Sequence, residues 1–189
     1  DRIYRTGHHG EALLAPELGV LQHRTIAPGV IFEDRDLKIT AYVTEHPPIE
    51  PAVGYRFDYK GRSVVVSGDG NVNGDTRDIV DGVDLLLHDA LSVPTVTALS
   101  KAMGAAGRSR QSKIVSDVMD YHASTDSLIE LGEQSNVDMV AFYHLVPVPL
   151  NAVLEDVFKR GMPENFLLAE DLMSFELPIG SDEIVVNRP

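Results

Sequence analysis

Two unbroken apolar runs constrain this chain more than any other feature. "VDLLLH" (83–88) and "VDMVAFYH" (137–144) are short for helices and lack the in-out alternation of a strand with one wet face. Runs of this kind are strands covered on both faces, as in a parallel sheet flanked by helices. Earlier segments behave differently. "LKITAYV" (37–43) alternates apolar with polar, and "AVGYRFDYKGRSVVVSG" (52–68) reads as a hairpin turning at Lys60 and Gly61, so an antiparallel start is expected. A helix capped by Asp75 or Thr76 runs through Val80 and stops at Gly82. Residues 95–119 read as a helix, a mobile loop around "GRSRQSK" and a second short helix, because Gly104 and Gly107 interrupt the helical spacing. Ser124 or Thr125 caps the next helix, and "NAVLEDVFKRG" forms another before two short strands near 172–177 and 183–187. The order is α/β, and 189 residues, 43% of them hydrophobic, suit one core over 1–189.

Polar side chains recur at one place in this pattern. Asp69 follows "VVVSG", His88 and Asp89 follow "VDLLL", His144 follows "MVAFY", and His46 follows "ITAYVTE". All stand at the C-terminal ends of expected strands, the edge where loops converge and ligands bind in α/β sheets. Any one of them alone is explained by a turn, a cap or a hydrogen-bonded core histidine. Their coincidence at one edge favours a site. The chain has no cysteine, so a metal there is held by His, Asp or Glu, a set suited to Zn²⁺ and harder divalent ions.

Charge narrows the partners. A net charge of −13 with no dense Lys/Arg block disfavours nucleic acid. No run of eighteen apolar residues and no basic-then-apolar leader is present, so a soluble chain is expected, with no targeting segment visible and no compartment readable.

The motifs "VGYRFDYKGRSVVVSGD", "DLLLHDAL", "YHAST" and "VAFYHLVP" resemble, in order and spacing, the C-terminal half of the metallo-β-lactamase-fold hydrolases, in the branch containing ribonuclease Z. The resemblance covers most of 38–177 and implies an αββα sandwich of the metallo-β-lactamase type, incomplete in this chain, holding two divalent ions, Zn²⁺ first and Mn²⁺ or Fe as alternatives. It implies that His46 binds one ion, that Asp69, 23 positions later, bridges both, and that His144 binds the second. Only a carboxylate, with two oxygens and a full charge, can bridge two cations in this way. The family's "HEAT" and "HST" segments stand here as "HDAL" and "HAST", which implies that His122 protonates the leaving group and Asp89 orients it. Asp is one methylene shorter than the family's Glu, so a longer or water-mediated contact from Asp89 to His122 is expected.

The family's His-x-His-x-Asp-His string, which supplies most of the metal-binding side chains, does not occur in the sequence. The chain is therefore expected to be the C-terminal part of a longer protein, with that string upstream of Asp1. His8 and His9 in "GHHGE" lack its spacing and read as a solvated or turn segment, and His23 carries no functional reading. The leading expectation is a metal-dependent hydrolase acting on a small ester, lactone or phosphodiester. A tRNA 3′-processing endonuclease is the alternative, set back by the acidic charge and by the short interval between His46 and Asp69, where many short forms insert a tRNA-binding arm. A non-catalytic domain that has lost its metals is the second alternative. A homodimer is kept as an oligomeric option.

Overall fold

The structure, a computed structural model, describes Gly7, His8, Gly10 and residues 24–189. Within them, seven strands form one sheet in sequence order: β1 (Gly29–Glu33), β2 (Leu37–His46), β3 (Ile49–Tyr59), β4 (Arg62–Val66), β5 (Leu85–Leu91), β6 (Met139–Val146) and β7 (Phe166–Leu168). β1 to β4 pair antiparallel and β4 to β7 parallel. The change of sense falls where the alternating pattern gives way to continuous apolar runs. Two further strands, β8 (Ser174–Glu176) and β9 (Val185–Asn187), pair with each other, matching the expected final strands. β1 and β7 are additional to the sequence reading, since "GVIFE" and "FLL" are too short to show a period.

Parallel neighbours added in one direction need crossovers of one hand, and that places their helices on a common face. The helices are α1 (Gly74–Val80), α2 (Val93–Ala105), α3 (Ser109–Asp117), a 3₁₀ turn (Val118–Asp120), α4 (Thr125–Gln134) and α5 (Ala152–Phe158). Val80, Leu128, Leu131 and Phe158 from the helices pack on Val65, Leu86, Val140 and Phe166 from the sheet, and these form the main buried cluster. Alternation turns the other residues to the opposite face. There Ala41, Tyr55, Val66, Leu87, Ala141 and Leu167 stand in register across six strands as one apolar row.

Two local readings are corrected. α1 is capped by Asn73, whose side chain accepts from the Thr76 amide, not by Asp75 or Thr76. Thr76 completes the capping box from inside the helix. The expected mobile loop within 95–119 is a three-residue turn, Ala106 to Arg108, and most of "GRSRQSK" is helical. Gly104 and Gly107 mislead because one sits inside α2 facing Ser112 and the other supplies the left-handed turn at φ +73°. α2 and α3 thus form a hairpin, zipped by Ser100 and Ser112, each hydroxyl donating to the other residue's carbonyl oxygen at 2.9 and 2.8 Å.

Candidate functional site

The loop after β4 is built so that Asp69 leaves the sheet edge at a fixed point. Gly68 has φ +67°, and a Cβ there would lie 2.6 Å from the Val53 carbonyl oxygen. At Gly70 a Cβ would lie 2.2 Å from the Thr44 hydroxyl. Only glycine fits on either side of Asp69, because the loop packs directly on β3 at Val53 and on the end of β2 at Thr44. Asn71 then donates its amide to the Glu45 carbonyl oxygen at 2.8 Å, tying that loop to the residue before His46.

His144 is placed by a bulge. β5 and β6 pair Asp89 with Tyr143 and Ala90 with Leu145, so His144 has no partner across the ladder, and it holds φ +43°, a conformation rare for a side chain of this size. The bulge turns its imidazole towards Asp69, with Nε2 3.6 Å from Oδ2. Both side chains are about half exposed, 48% and 44%. Two donors about 2.0 Å from one tetrahedral ion lie about 3.3 Å apart, so this pair has the spacing of shared ligation.

Asp89 lies inside β5, fully buried, with both oxygens engaged by imidazole. His122 Nδ1 is 2.7 Å from Oδ2 and His88 Nδ1 is 2.9 Å from Oδ1, while the Gly70 amide donates to Oδ1 at 3.3 Å. The Asp89–His122 contact is direct, which corrects the expectation of a longer or water-mediated one. The β5 strand runs on to Leu91, whose amide donates to the Ala123 carbonyl oxygen at 2.7 Å, and this brings the His122 loop up to the shorter carboxylate. Burial pushes the Asp89 carboxyl up, but hydrogen bonds from His122 and His88 outweigh it and hold the group below its ordinary value.

The proposed residues meet as a chain. The His122 ring lies 5.4 Å from that of His144 and 5.6 Å from that of His46, centroid to centroid, and so stands between them. His46, the last residue of β2, has a buried Nδ1 with no hydrogen-bond partner. Among the described residues, no three His, Asp or Glu side chains form a complete metal cluster. The residues present fit a share of a metal site: one carboxylate, one imidazole at ligand spacing from it, and a second imidazole with an unpaired buried nitrogen.

Three neighbours escaped the sequence reading, as did the contact made by a fourth, His88. Tyr121 packs against both His46 and His122, with centroids at 4.8 and 4.9 Å. Tyr143, beside Asp89 and Asp69, has its hydroxyl pushed up by burial, partly offset by a hydrogen bond with Ser67. Ser67 also accepts from the Asp89 amide at 3.3 Å. His88 reads in the sequence as a strand-end residue at the candidate edge, and its place as the second imidazole on Asp89 follows only from the fold. His8 is exposed, in agreement with a solvated segment, while His9 and His23 lie outside the described residues.

No family model matches the chain. Its sequence is similar to ribonuclease Z of Mycobacterium tuberculosis strain H37Rv, at 30% identity over 149 residues, covering 78% of this chain and 49% of the relative. The chain spans about half the length of the curated relatives it matches. Its structure is similar to that of human tRNase Z, short form, with a TM-score of 0.51 at 19% identity over 79% of this chain and 47% of that one. It is similar also to Zn²⁺-bound PqqB from Methylobacterium extorquens, with a TM-score of 0.51 at 17% identity over 89% and 57%. The bulged histidine, the glycine-flanked carboxylate and the sheet that carries them therefore stand in a chain that has the metallo-β-lactamase fold and is similar in sequence to ribonuclease Z.

Proposed function

We propose that this chain supplies one side of a divalent-metal hydrolase site acting on phosphodiesters, with Asp69, His144 and His46 as metal ligands and His122 as general acid. The carrying observation is the His122–Asp89 pair, 2.7 Å long, fully buried at the carboxylate and in ring contact with His144. A divalent metal held by Asp69, His144 and His46 would supply hydroxide at neutral pH and polarise a phosphoryl oxygen.

The chain's own residues do the rest. Asp89, as a carboxylate, accepts from His122 Nδ1–H and leaves Nε2 as the nitrogen free to carry a proton. When the P–O bond breaks, the electron pair stays on the leaving oxygen and the Nε2 proton neutralises it. Asp89 holds that ring in place from a dry site. A dedicated acid matters more for an alkoxide leaving group than for a strained lactone, and this sets phosphodiesters ahead of small esters and lactones.

A second reading, an RNA 3′-end endonuclease, draws support from the similarity to ribonuclease Z. The test is metal analysis of the purified protein that contains this chain, with hydrolysis of bis(p-nitrophenyl) phosphate, aryl esters, lactones and a precursor tRNA. About two transition-metal ions per chain, lost with activity in Asp69→Ala, is the expected result. A metal-free, inactive protein in which Asp69→Ala changes nothing sinks the proposal and leaves the non-catalytic domain.

A further inference from the structure

His122 borders a cavity that its proposed role as general acid leaves unexplained. The cavity has a volume of about 390 Å³ and is lined from the end of β2, the loop after β4, the start of α2 and the turn that carries His122. Small-molecule pockets run from roughly 300 to 1,000 Å³, so this one takes a single compact group and not a stretch of polymer. Its walls are tied to each other. Asn71 donates its main-chain amide to the Glu45 carbonyl oxygen and its side-chain amide to the Asp120 carbonyl oxygen, both at 2.8 Å, and so spans from β2 to the 3₁₀ turn. On the other side the Leu91 amide fixes the His122 loop through the Ala123 carbonyl oxygen.

The polar side chains of the lining already have partners. Ser124 Oγ donates to Ser127 Oγ at 3.1 Å, Ser127 Oγ donates to the Ser124 carbonyl oxygen at 2.8 Å, and Arg77 Nη1 donates to Gln134 Oε1 at 3.0 Å. The two charged residues of the lining, Glu45 and Arg77, are of opposite sign, so the cavity offers a polyanion no net attraction. What remains for a ligand beside His122 is an apolar wall made by Val72, Leu91, Val93 and Met119.

We propose that this cavity receives the alcohol half of the diester, and that the alcohol is uncharged, apolar and no larger than a single ring system. The inference rests on the phosphodiesterase reading and names the half of the substrate that leaves. Hydroxide adds to phosphorus, the P–O bond to this alcohol breaks with its electron pair on oxygen, and the His122 Nε2 proton joins that oxygen. The alcohol is therefore neutral when it departs, which an apolar wall accepts at little desolvation cost. His122 belongs both to the cavity and to the line of rings that runs to His144 and His46, so the group that protonates the leaving oxygen also borders the space that takes the rest of it. An RNA leaving group carries further phosphates, which this lining neither neutralises nor bonds.

The experiment uses the metal-loaded protein that contains this chain and two diesters, methyl 4-nitrophenyl phosphate and methyl 3-carboxy-4-nitrophenyl phosphate, whose leaving groups differ by one carboxylate. The neutral leaving group is expected to give a KM at least about tenfold lower at similar kcat. Val93→Ser/Met119→Ser is expected to raise KM for the neutral diester about tenfold, with kcat within about twofold, because an apolar contact made equally in ground and transition states acts on binding alone. Ile114→Ser, outside the cavity on α3, keeps the parent values. If the double variant melts early, Val93→Trp, at a position 38% exposed, fills the cavity instead and must raise KM in the same way. Saturation-transfer NMR of the metal-stripped protein with 4-nitrobenzyl alcohol reads the cavity without catalysis, and its ring signals are expected in the parent and not in Val93→Trp. Equal KM for the two diesters, or a preference for the charged one, overturns the inference, as does a precursor tRNA cleaved at a lower KM than the neutral diester and unaffected by Val93→Ser/Met119→Ser. A protein that binds 4-nitrobenzyl alcohol here but hydrolyses no diester sinks the phosphodiesterase reading and leaves the alcohol-binding cavity.

Discussion

His122 Nδ1 stands 2.7 Å from Asp89 Oδ2, and the carboxylate that holds it has no exposure to solvent. The bond fixes which imidazole nitrogen faces the site, so Asp89→Asn, which offers an amide in place of a full charge, allows the wrong tautomer. We expect diester turnover to fall about 10- to 100-fold, with the greatest loss for poor leaving groups. A series of aryl phosphodiesters spanning leaving-group pKa checks this. His122→Ala combined with Asp89→Asn should cost little more than His122→Ala alone, because the two act as one unit. Additive losses would separate them.

The same carboxyl makes stability depend on acid. Its value is held below the ordinary one, by His122 and His88 acting against burial. A group whose folded value is depressed stabilises the fold fully above its unfolded value, about 3.9, and loses that contribution as pH falls through the folded value. Urea midpoints for the parent should hold from pH 7 to about pH 5 on this account and drop below about pH 4. Asp89→Asn should start lower at pH 7 and lose less on acidification. Parallel curves for the two proteins would remove Asp89 from the acid transition.

The antiparallel start and the strands carrying Asp69, Asp89 and His144 are legible in the sequence, through alternation in the first and unbroken apolar runs in the others, whereas the full sheet order is not, because β1 and β7 are too short to show a period. Nor is the site's finer geometry. "VDMVAFYH" reads as an ordinary strand ending at His144, whereas β6 runs on to Val146 through a bulge, which changes pairing without changing composition. "GRSRQSK" reads as a loop because helix propensity is a weak guide beside two glycines, and the Ser100–Ser112 contact that supports the hairpin spans twelve residues. Asn73 is hidden as a cap by equally good candidates two and three positions later.

Glycine at 70 is a packing requirement that the sequence does not show. A Cβ there meets the Thr44 hydroxyl at 2.2 Å and the Glu45 carbonyl oxygen at 3.1 Å, so Gly70→Ala must push the loop off β2. We expect a loss of about 1–3 kcal/mol and weaker metal binding, as Asp69 moves with the loop. Gly70→Ala/Thr44→Ser keeps the hydroxyl, whereas Gly70→Ala/Thr44→Ala removes it. The second pairing should recover more stability in urea melts than the first but not all of it, because Gly70 also holds φ +157° and the Glu45 carbonyl oxygen stays in place.

His144 at φ +43° gives a final test, one that separates strain from ligation. A side chain in this region costs about 1 kcal/mol relative to glycine, and the bulge keeps it there in order to aim the imidazole at Asp69. His144→Gly and His144→Ala both remove the imidazole, so both should lose metal to the same degree. They should differ in the metal-free fold, where His144→Gly is expected to be more stable than His144→Ala by about 1 kcal/mol, because only the alanine retains the strained Cβ. Metal-free urea melts together with metal analysis of the two variants decide the matter. Equal stabilities would mean that the left-handed conformation relaxes once the histidine is gone, and that the ligand, not the sheet, holds the bulge.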